Sequence, residues 1–420
     1  MSGADLATAL VAEHFEVAGG ELVIGGVPVS ELGRRFGTPF FAYDAGVMRR
    51  SYRALRQALD GFAAIHYSVK ANPAVPVIGL FLSEGAGVEI ASIGEYRRAR
   101  AAGAAPEQIL FAGPGKRRAE LEEAVAGGIG EIHVESFEEL ERLEAIGTAL
   151  GRTIAVALRI NPVAAAQGGA MRMGGKPSPF GFDEEDLGEV LAALGGCPHL
   201  RLAGLHLFAG TQVLDAGVLL AQWEHGLKLA REVAGRVGQP LATLDLGGGL
   251  GIPYFQGDAS LDLGALAAGL PALARSVPPG TRVVVEPGRF LAGPAGVYVM
   301  AVNASKRSRG QSFVVTDGGM HHHLAASGNL GQVIKRDYPI IAPTRLGEPA
   351  GPPVSVVGPL CTPLDTLGRT VTLPPLGVDE LVAVLQSGAY GPTASPGGFL
   401  SHPAAAELLV EDGVASPLPR

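Results

Sequence analysis

The sequence predicts an α/β fold, a (β/α)8 TIM barrel joined to an antiparallel β domain. Eight short apolar runs lie between residues 63 and 288, and amphipathic helical stretches separate most of them. After Gly288 the helices give way to short β-type runs broken by Gly and Pro. Apolar strands alternating with helices form a parallel sheet. Eight such units over roughly 230 residues match a (β/α)8 barrel in size.

Along the chain, FEVAGGELVIGGVPVSEL within residues 1–38 reads as a hairpin that contributes strands to the β domain. The barrel is placed at 39–290 and the C-terminal β domain at 291–420, so the β domain draws on both chain ends. AAIHYSV (63–69) reads as the first barrel strand, followed by the helix AVPVIGLFLSEG. GVEIAS (87–92) precedes a helix that stops at Gly103, ILFAG (109–113) precedes KRRAELEEAVAGG, and EIHVES (131–136) precedes FEELERLEAIGTALG. TIAVALRINP (153–162), LRLAGLHLFAG (200–210), ATLDLGGG (242–249) and RVVVEPG (282–288) complete the eight. Beyond them YVMAVNAS, SFVVTDGG, PVSVVGPLC, TVTLPPL and ELVAVLQSGAY read as strands of the second domain.

Composition narrows the function. A chain of 420 residues, 47% hydrophobic and 18% charged, can bury a large core, which excludes a disordered protein or a disulfide-stapled miniprotein. Its net charge of −8 and lack of a basic block argue against a nucleic-acid surface. Cys197 and Cys361 form no disulfide framework, which fits a reducing, cytoplasmic setting. No apolar run of about 18 residues predicts a membrane span, and MSGADLATALVAEHF lacks the pattern of a signal peptide.

Barrel chemistry gathers at the C-terminal strand ends. Lys70 closes the first strand in His66-Tyr67-Ser68-Val69-Lys70-Ala71-Asn72-Pro73. Partial desolvation there lowers an amine pKa and makes capture of an aldehyde feasible. Asp245-Leu246-Gly247-Gly248-Gly249 closes the seventh strand, and successive glycine amides suit an anion. Glu286-Pro287-Gly288-Arg289 closes the eighth, where a carboxylate needs a cationic partner such as a protonated pyridine nitrogen. Each feature alone also fits a plainer role: a strand-end lysine, a flexible turn, a structural Glu–Arg pair. Together they fit an aldehyde, a phosphate and a pyridine nitrogen, the three parts of pyridoxal 5'-phosphate.

The motifs TPFFAYD (38–44), YSVKANP, GVEIASIGE, LHLFAGTQ, LDLGGGLGIPY, EPGRFL, GPLCTPLD and QSGAYGP span nearly the whole chain. In them the sequence resembles the alanine-racemase-like, fold-type III pyridoxal-phosphate decarboxylases, which include diaminopimelate, ornithine and arginine decarboxylases. The resemblance implies that Lys70 carries the cofactor and that Glu286 pairs with its ring nitrogen. It places Gly248, Gly249, Gly288, Arg289 and Tyr390 about the phosphate, with Glu89, Glu95, Arg159 and Thr211 as supporting polar positions. It makes Cys361 a catalytic thiol given to a neighbouring subunit, hence a homodimer with shared sites. Substrate contacts fall to Arg289, Thr362, Asp365 and Tyr390.

The departures from that pattern bear on substrate. Phe208 stands where relatives stack a His on the ring, with His206 two residues earlier on the same strand face. Thr362 follows Cys361 where diaminopimelate decarboxylases have Glu and ornithine enzymes Asp, leaving Asp365 as a substitute. The segment Leu400-Ser401-His402-Pro403 lacks an Arg found nearby in diaminopimelate enzymes. MRMGG (171–175), TDGGMHHH (316–323) and GPLCTP (358–363) are similar to the butirosin-type decarboxylases of carrier-linked glutamate and to exosortase-associated decarboxylases. The expected substrate is therefore an amino acid of a biosynthetic route, including one tethered to an acyl carrier protein. The alternatives are a free diamino acid decarboxylase and, behind it, an amino-acid racemase.

No metal site is expected. His321, His322 and His323 are adjacent, and strand neighbours point to opposite faces; they read as a loop. Lys116, Arg117 and Arg118 read as a solvated helix face, and Arg172 and Lys176 as part of a mobile glycine-rich surface loop.

Overall fold

The computed structural model describes residues 5–163, 171–172, 177–208 and 210–419. One compact unit comprises Tyr52–Ile252 and Ser260–Gly288. It contains eight parallel strands: β1 (Ala64–Ser68), β2 (Gly87–Ile90), β3 (Ile109–Phe111), β4 (Glu131–Val134), β5 (Ile154–Asn161), β6 (Leu200–Leu207), β7 (Thr243–Asp245) and β8 (Arg282–Val285). Each pairs with the next, and β8 returns to β1, which closes the barrel. A short strand, Phe182–Asp183, pairs in parallel with the last residues of β5.

Helices follow from local chemistry. Ser92 and Ser136 cap helices Ile93–Ala101 and Phe137–Leu150, each hydroxyl accepting from the amide of a Glu three residues on. Those glutamates reach back in turn, Glu95 to the Ala91 amide and Glu139 to the Glu135 amide. The caps thus fix the ends of β2 and β4, where Glu89 and Glu135 sit. Alternation along the strands turns Glu131 and His133 of β4 and His66 and Ser68 of β1 to the interior, and all four are buried.

The second unit takes the described residues up to Ser51, Pro253–Ala259, and those from Arg289 on. Its main sheet runs Thr366–Val371, Val354–Val357, Gln311–Thr316, Gly296–Ser308, Phe40–Asp44, Ala406–Glu411, Val414–Pro417. Leu381–Val384 also pairs with Gly296–Ser308 and carries Ile340–Ile341.

The expected barrel boundaries change here. Phe40–Asp44, placed in the barrel by a boundary at 39, is an inner strand of this sheet, paired on both edges. Its run FFAYD is buried throughout, and a continuous apolar run looks the same in a barrel strand and in any other central strand. Pro253–Ala259 and Arg289 also leave the barrel unit. The described residues up to 38 do join this unit and bring strands to it, as expected, but not to its main sheet. Glu16–Ala18, Glu21–Ile24 and Val27–Pro28 form a three-stranded sheet of their own. The main sheet is mostly antiparallel, as expected, with two parallel pairs: Gln311–Thr316 with Val354–Val357, and Phe40–Asp44 with Ala406–Glu411.

Candidate active site

Lys70 lies in a single 3-10 turn, Val69–Ala71, directly after β1. Its Nζ is 2.7 Å from Oε2 of Glu89, the same oxygen that accepts the Ser68 hydroxyl at 2.6 Å. The Lys70 side chain is 45% exposed. The burial expected from its strand-end position is therefore modest, and the pairing with Glu89 governs its surroundings. Glu95 is near this pair but serves the helix cap. Burial, with the Glu89 charge adding, raises its carboxyl to about 7. Arg159, at the end of β5, donates to Glu135 Oε1 at 2.7 Å and lies 5.0 Å over the Phe180 ring. Burial pushes the Glu135 carboxyl up, but Arg159 and Lys116 hold it below the ordinary value.

Glu286, one residue past β8, is buried, with Oε2 3.4 Å from Nε2 of His206. The His206 ring is 4.5 Å from that of His133, whose Nε2 is 3.3 Å from Glu131. Burial lowers His206 and His66 below the ordinary histidine value, and the Glu286 carboxylate opposes that shift at His206. Asp245 ends β7, and its Oδ1 accepts the Gly247 amide at 2.8 Å. Donor atoms of His133, His206, Asp245 and Glu286 all lie within 4.8 Å of one another.

The glycine run is tied to the Glu286 segment, whose amide donates to the Gly247 carbonyl at 2.9 Å. Gly249 has φ +92°, and a Cβ there would lie 2.5 Å from the Gly210 carbonyl oxygen. A side chain at Gly248 would strike the Glu286 carbonyl, and one at Gly288 would meet Ala71 Cβ at 2.9 Å. Thr211 is half-buried and pairs through its backbone with Met171. Phe208 is half-buried just beyond β6.

In the second unit Arg289 NH1 is 3.0 Å from the Tyr254 hydroxyl, and its guanidinium lies 4.7 Å over the Tyr390 ring. Tyr390 holds a left-handed backbone, φ +54°. Cys361 is an exposed free thiol, and Thr362 beside it accepts the Leu364 amide through its hydroxyl.

A family model for the pyridoxal-dependent decarboxylases, pyridoxal binding domain, matches residues 45–293. The chain belongs to the pyridoxal-dependent decarboxylases. Among them it is 40% identical over 392 residues to the L-glutamyl-(BtrI acyl-carrier protein) decarboxylase of Niallia circulans, covering 92% of this chain and 91% of that one. A diaminopimelate decarboxylase of Zymomonas mobilis is 31% identical, covering 94% and 93%. The solved structure of AQ1208 from Aquifex aeolicus superposes with a TM-score of 0.87 at 31% identity, covering 98% and 96%. Diaminopimelate decarboxylase from Helicobacter pylori complexed with L-lysine gives 0.84 at 29%, covering 93% and 95%.

The residues of this decarboxylase fit a pyridoxal group. Lys70 offers a primary amine at a strand end. Glu286 Oε1 is buried with no hydrogen-bond partner among the described residues. Gly248, Gly249 and Gly288 keep backbone approach open where a Cβ would close it.

Other sequence expectations are corrected. Asp365 is no substrate clamp: it is buried, and its two oxygens accept the Met320 and Leu360 amides at 2.6 and 2.9 Å. It braces the loop that carries Cys361. The three histidines do lie in a loop, as expected, but the loop is buried. His322 is held by the Tyr298 hydroxyl and the Pro403 carbonyl, His323 by the Ser387 hydroxyl, and all three are buried. Lys116 is not on a solvated face either. It is 4% exposed and pairs with Glu139 at 2.7 Å, while Arg117 and Arg118 remain exposed. Lys176 and the side chain of Arg172 lie outside the described residues. Sequence reading missed His133, Glu135 and Asp245 as site residues. The signal was present: polar side chains at alternate positions of otherwise apolar barrel strands.

Proposed function

We propose that this decarboxylase binds pyridoxal 5'-phosphate and removes the α-carboxylate of a biosynthetic amino acid joined to an acyl carrier protein. The observation that carries the reading is the 40% identity, along nearly the whole of both chains, to an enzyme named for a carrier-linked glutamyl substrate. The Cys361 loop agrees with it. Thr362 puts no charge after the thiol, and Asp365 is spent on backbone amides. A tethered substrate needs no charged clamp at its distal end.

In this reading the bound cofactor supplies an electron sink for the pair left behind as CO2 departs. The chain's own residues do the rest. Glu89 would orient the Lys70 amine, the group that would hold the cofactor through its aldehyde. Glu286 would hold a proton on the ring nitrogen, with His206 beside the carboxylate. Gly248, Gly249 and Gly288 present backbone to the phosphate. Arg289, Tyr390, Thr211 and Phe208 enter through the family resemblance. So does Cys361, which returns a proton from Sγ to the carbon that lost CO2, across the interface of a homodimer.

A second reading, a free diamino acid decarboxylase, rests on the full-length likeness to diaminopimelate decarboxylases. The test is CO2 release by the purified holo-protein with carrier-loaded glutamyl, free glutamate, diaminopimelate and ornithine at matched concentration. The proposal expects the carrier-loaded substrate to give the highest kcat/KM. Preference for a free diamino acid would establish the second reading instead.

A further inference from the structure

Asp245 and Glu286 are buried carboxyl groups, 0% and 5% exposed, on neighbouring strand ends. Oδ2 of Asp245 and Oε1 of Glu286 have no hydrogen-bond partner among the described residues, and the two groups belong to the cluster within 4.8 Å. Groups facing them from other strands include His206 of β6, His133 and Glu131 of β4, and His66 of β1. The nearby cations each have a carboxylate partner: Lys70 has Glu89, Arg159 has Glu135, and Lys116 has Glu139. Two adjacent carboxylates in a low-dielectric interior cannot both stay ionised without a cation between them.

We propose that Asp245 and Glu286 form a carboxylic acid–carboxylate pair. In it Asp245 Oδ2 carries the proton and donates toward Glu286, keeping Glu286 the ionised member. Asp245 is thereby a positioning residue. The geometry leaves each carboxyl one free oxygen to share a proton: Oδ1 of Asp245 takes the Gly247 amide, which leaves Oδ2, and Oε1 of Glu286 is likewise unpartnered among the described residues. Glu286 has His206 against its other oxygen. The electrostatics agree. Burial, then the Glu286 charge, pushes Asp245 well above the usual carboxylate range. Burial also pushes Glu286 up, but His206 and Lys70 more than offset it, and it lies well below. The functional consequence rests on the reading of Glu286 as the ring-nitrogen partner; the pair itself does not.

Infrared spectroscopy of the cofactor-free protein labelled with 13C-aspartate tests the pair directly. A protonated-carboxyl C=O band that shifts in D2O at neutral pH and vanishes in Asp245→Asn is expected. Absence of the band, or its persistence in Asp245→Asn, would overturn the pair. Pyridoxal phosphate affinity tests the consequence. Asn keeps the acceptor and a neutral donor, so Asp245→Asn should bind within about threefold of wild type. Asp245→Ala should bind roughly tenfold or more weakly, the cost of a lost hydrogen bond to a charged group. Equal losses in both variants, with circular dichroism unchanged, would overturn the positioning role. A stoichiometric divalent metal in the purified protein would overturn the pair, since a cation would then balance the two carboxylates. Failure of the wild type to bind pyridoxal phosphate would overturn the positioning role along with the proposed function, and the infrared band would still decide the pair.

Discussion

Lys70 and Glu89 form a 2.7 Å ion pair whose partners sit in opposite surroundings, the lysine side chain 45% exposed and the glutamate 2%. The carboxylate is the fixed member, because Ser68 binds the same oxygen from the end of β1. The pair therefore sets where the amine stands. Glu89→Ala removes that anchor. Hydrogen bonds to charged groups contribute about 1.5–3 kcal/mol, so capture of pyridoxal phosphate by Lys70 should slow roughly ten- to hundredfold. Stopped-flow absorbance measures it, and an unchanged rate would show that Glu89 does not position the amine.

Glu95 makes stability depend on pH in a definite direction. Burial raises its carboxyl from 4.5 to about 7. Between those values the folded protein holds a proton that the unfolded chain releases. Its contribution is complete below 4.5 and is lost as pH rises through about 7. Glu95→Gln keeps an acceptor for the Ala91 amide and removes the titration. The variant should gain stability relative to wild type as pH rises across that window, read from urea midpoints at both ends. A constant difference would mean Glu95 titrates normally.

Asp365 holds two buried amides from separate loops. Asp365→Ala leaves both without an acceptor, at about 1–3 kcal/mol each. Urea denaturation should show a loss of about 2–5 kcal/mol, with turnover falling as the Cys361 loop loosens. Near-wild-type stability would return Asp365 to consideration as a substrate group.

In the proposed function Cys361 serves the chemistry and Thr362 the specificity. Cys361→Ala should lower kcat while leaving pyridoxal phosphate affinity unchanged, measured by turnover and by fluorescence titration. Thr362→Glu places an acid beside the thiol, where it can hold a distal amine, and should raise kcat/KM for diaminopimelate relative to carrier-loaded glutamyl. No change in that ratio would place the specificity elsewhere.

The barrel was legible in the sequence because each strand declares itself locally, as an apolar run ended by a polar motif. Lys70, Glu286 and the Gly247–Gly249 run stood out for the same reason, each interrupting a strand end. The partners of these groups were not legible. Asp245 looked like the start of a glycine turn, and His133 like one polar residue in EIHVES; only closure of the barrel brings donor atoms of His133, His206, Asp245 and Glu286 within 4.8 Å of one another. Phe40–Asp44 failed for a related reason, since apolarity marks a buried strand but not the sheet that receives it. Asp365 and Lys116 were misjudged because charge suggests exposure, whereas backbone amides and Glu139 satisfy them in the interior.

The most direct test of the account is release of labelled CO2 from the α-carboxyl of carrier-loaded glutamate, by wild type and Lys70→Ala, with pyridoxal phosphate present. Wild type is predicted to release the α-label and to retain a label placed in any other carbon, while Lys70→Ala releases none. Release from another position, or undiminished release by Lys70→Ala, would contradict it.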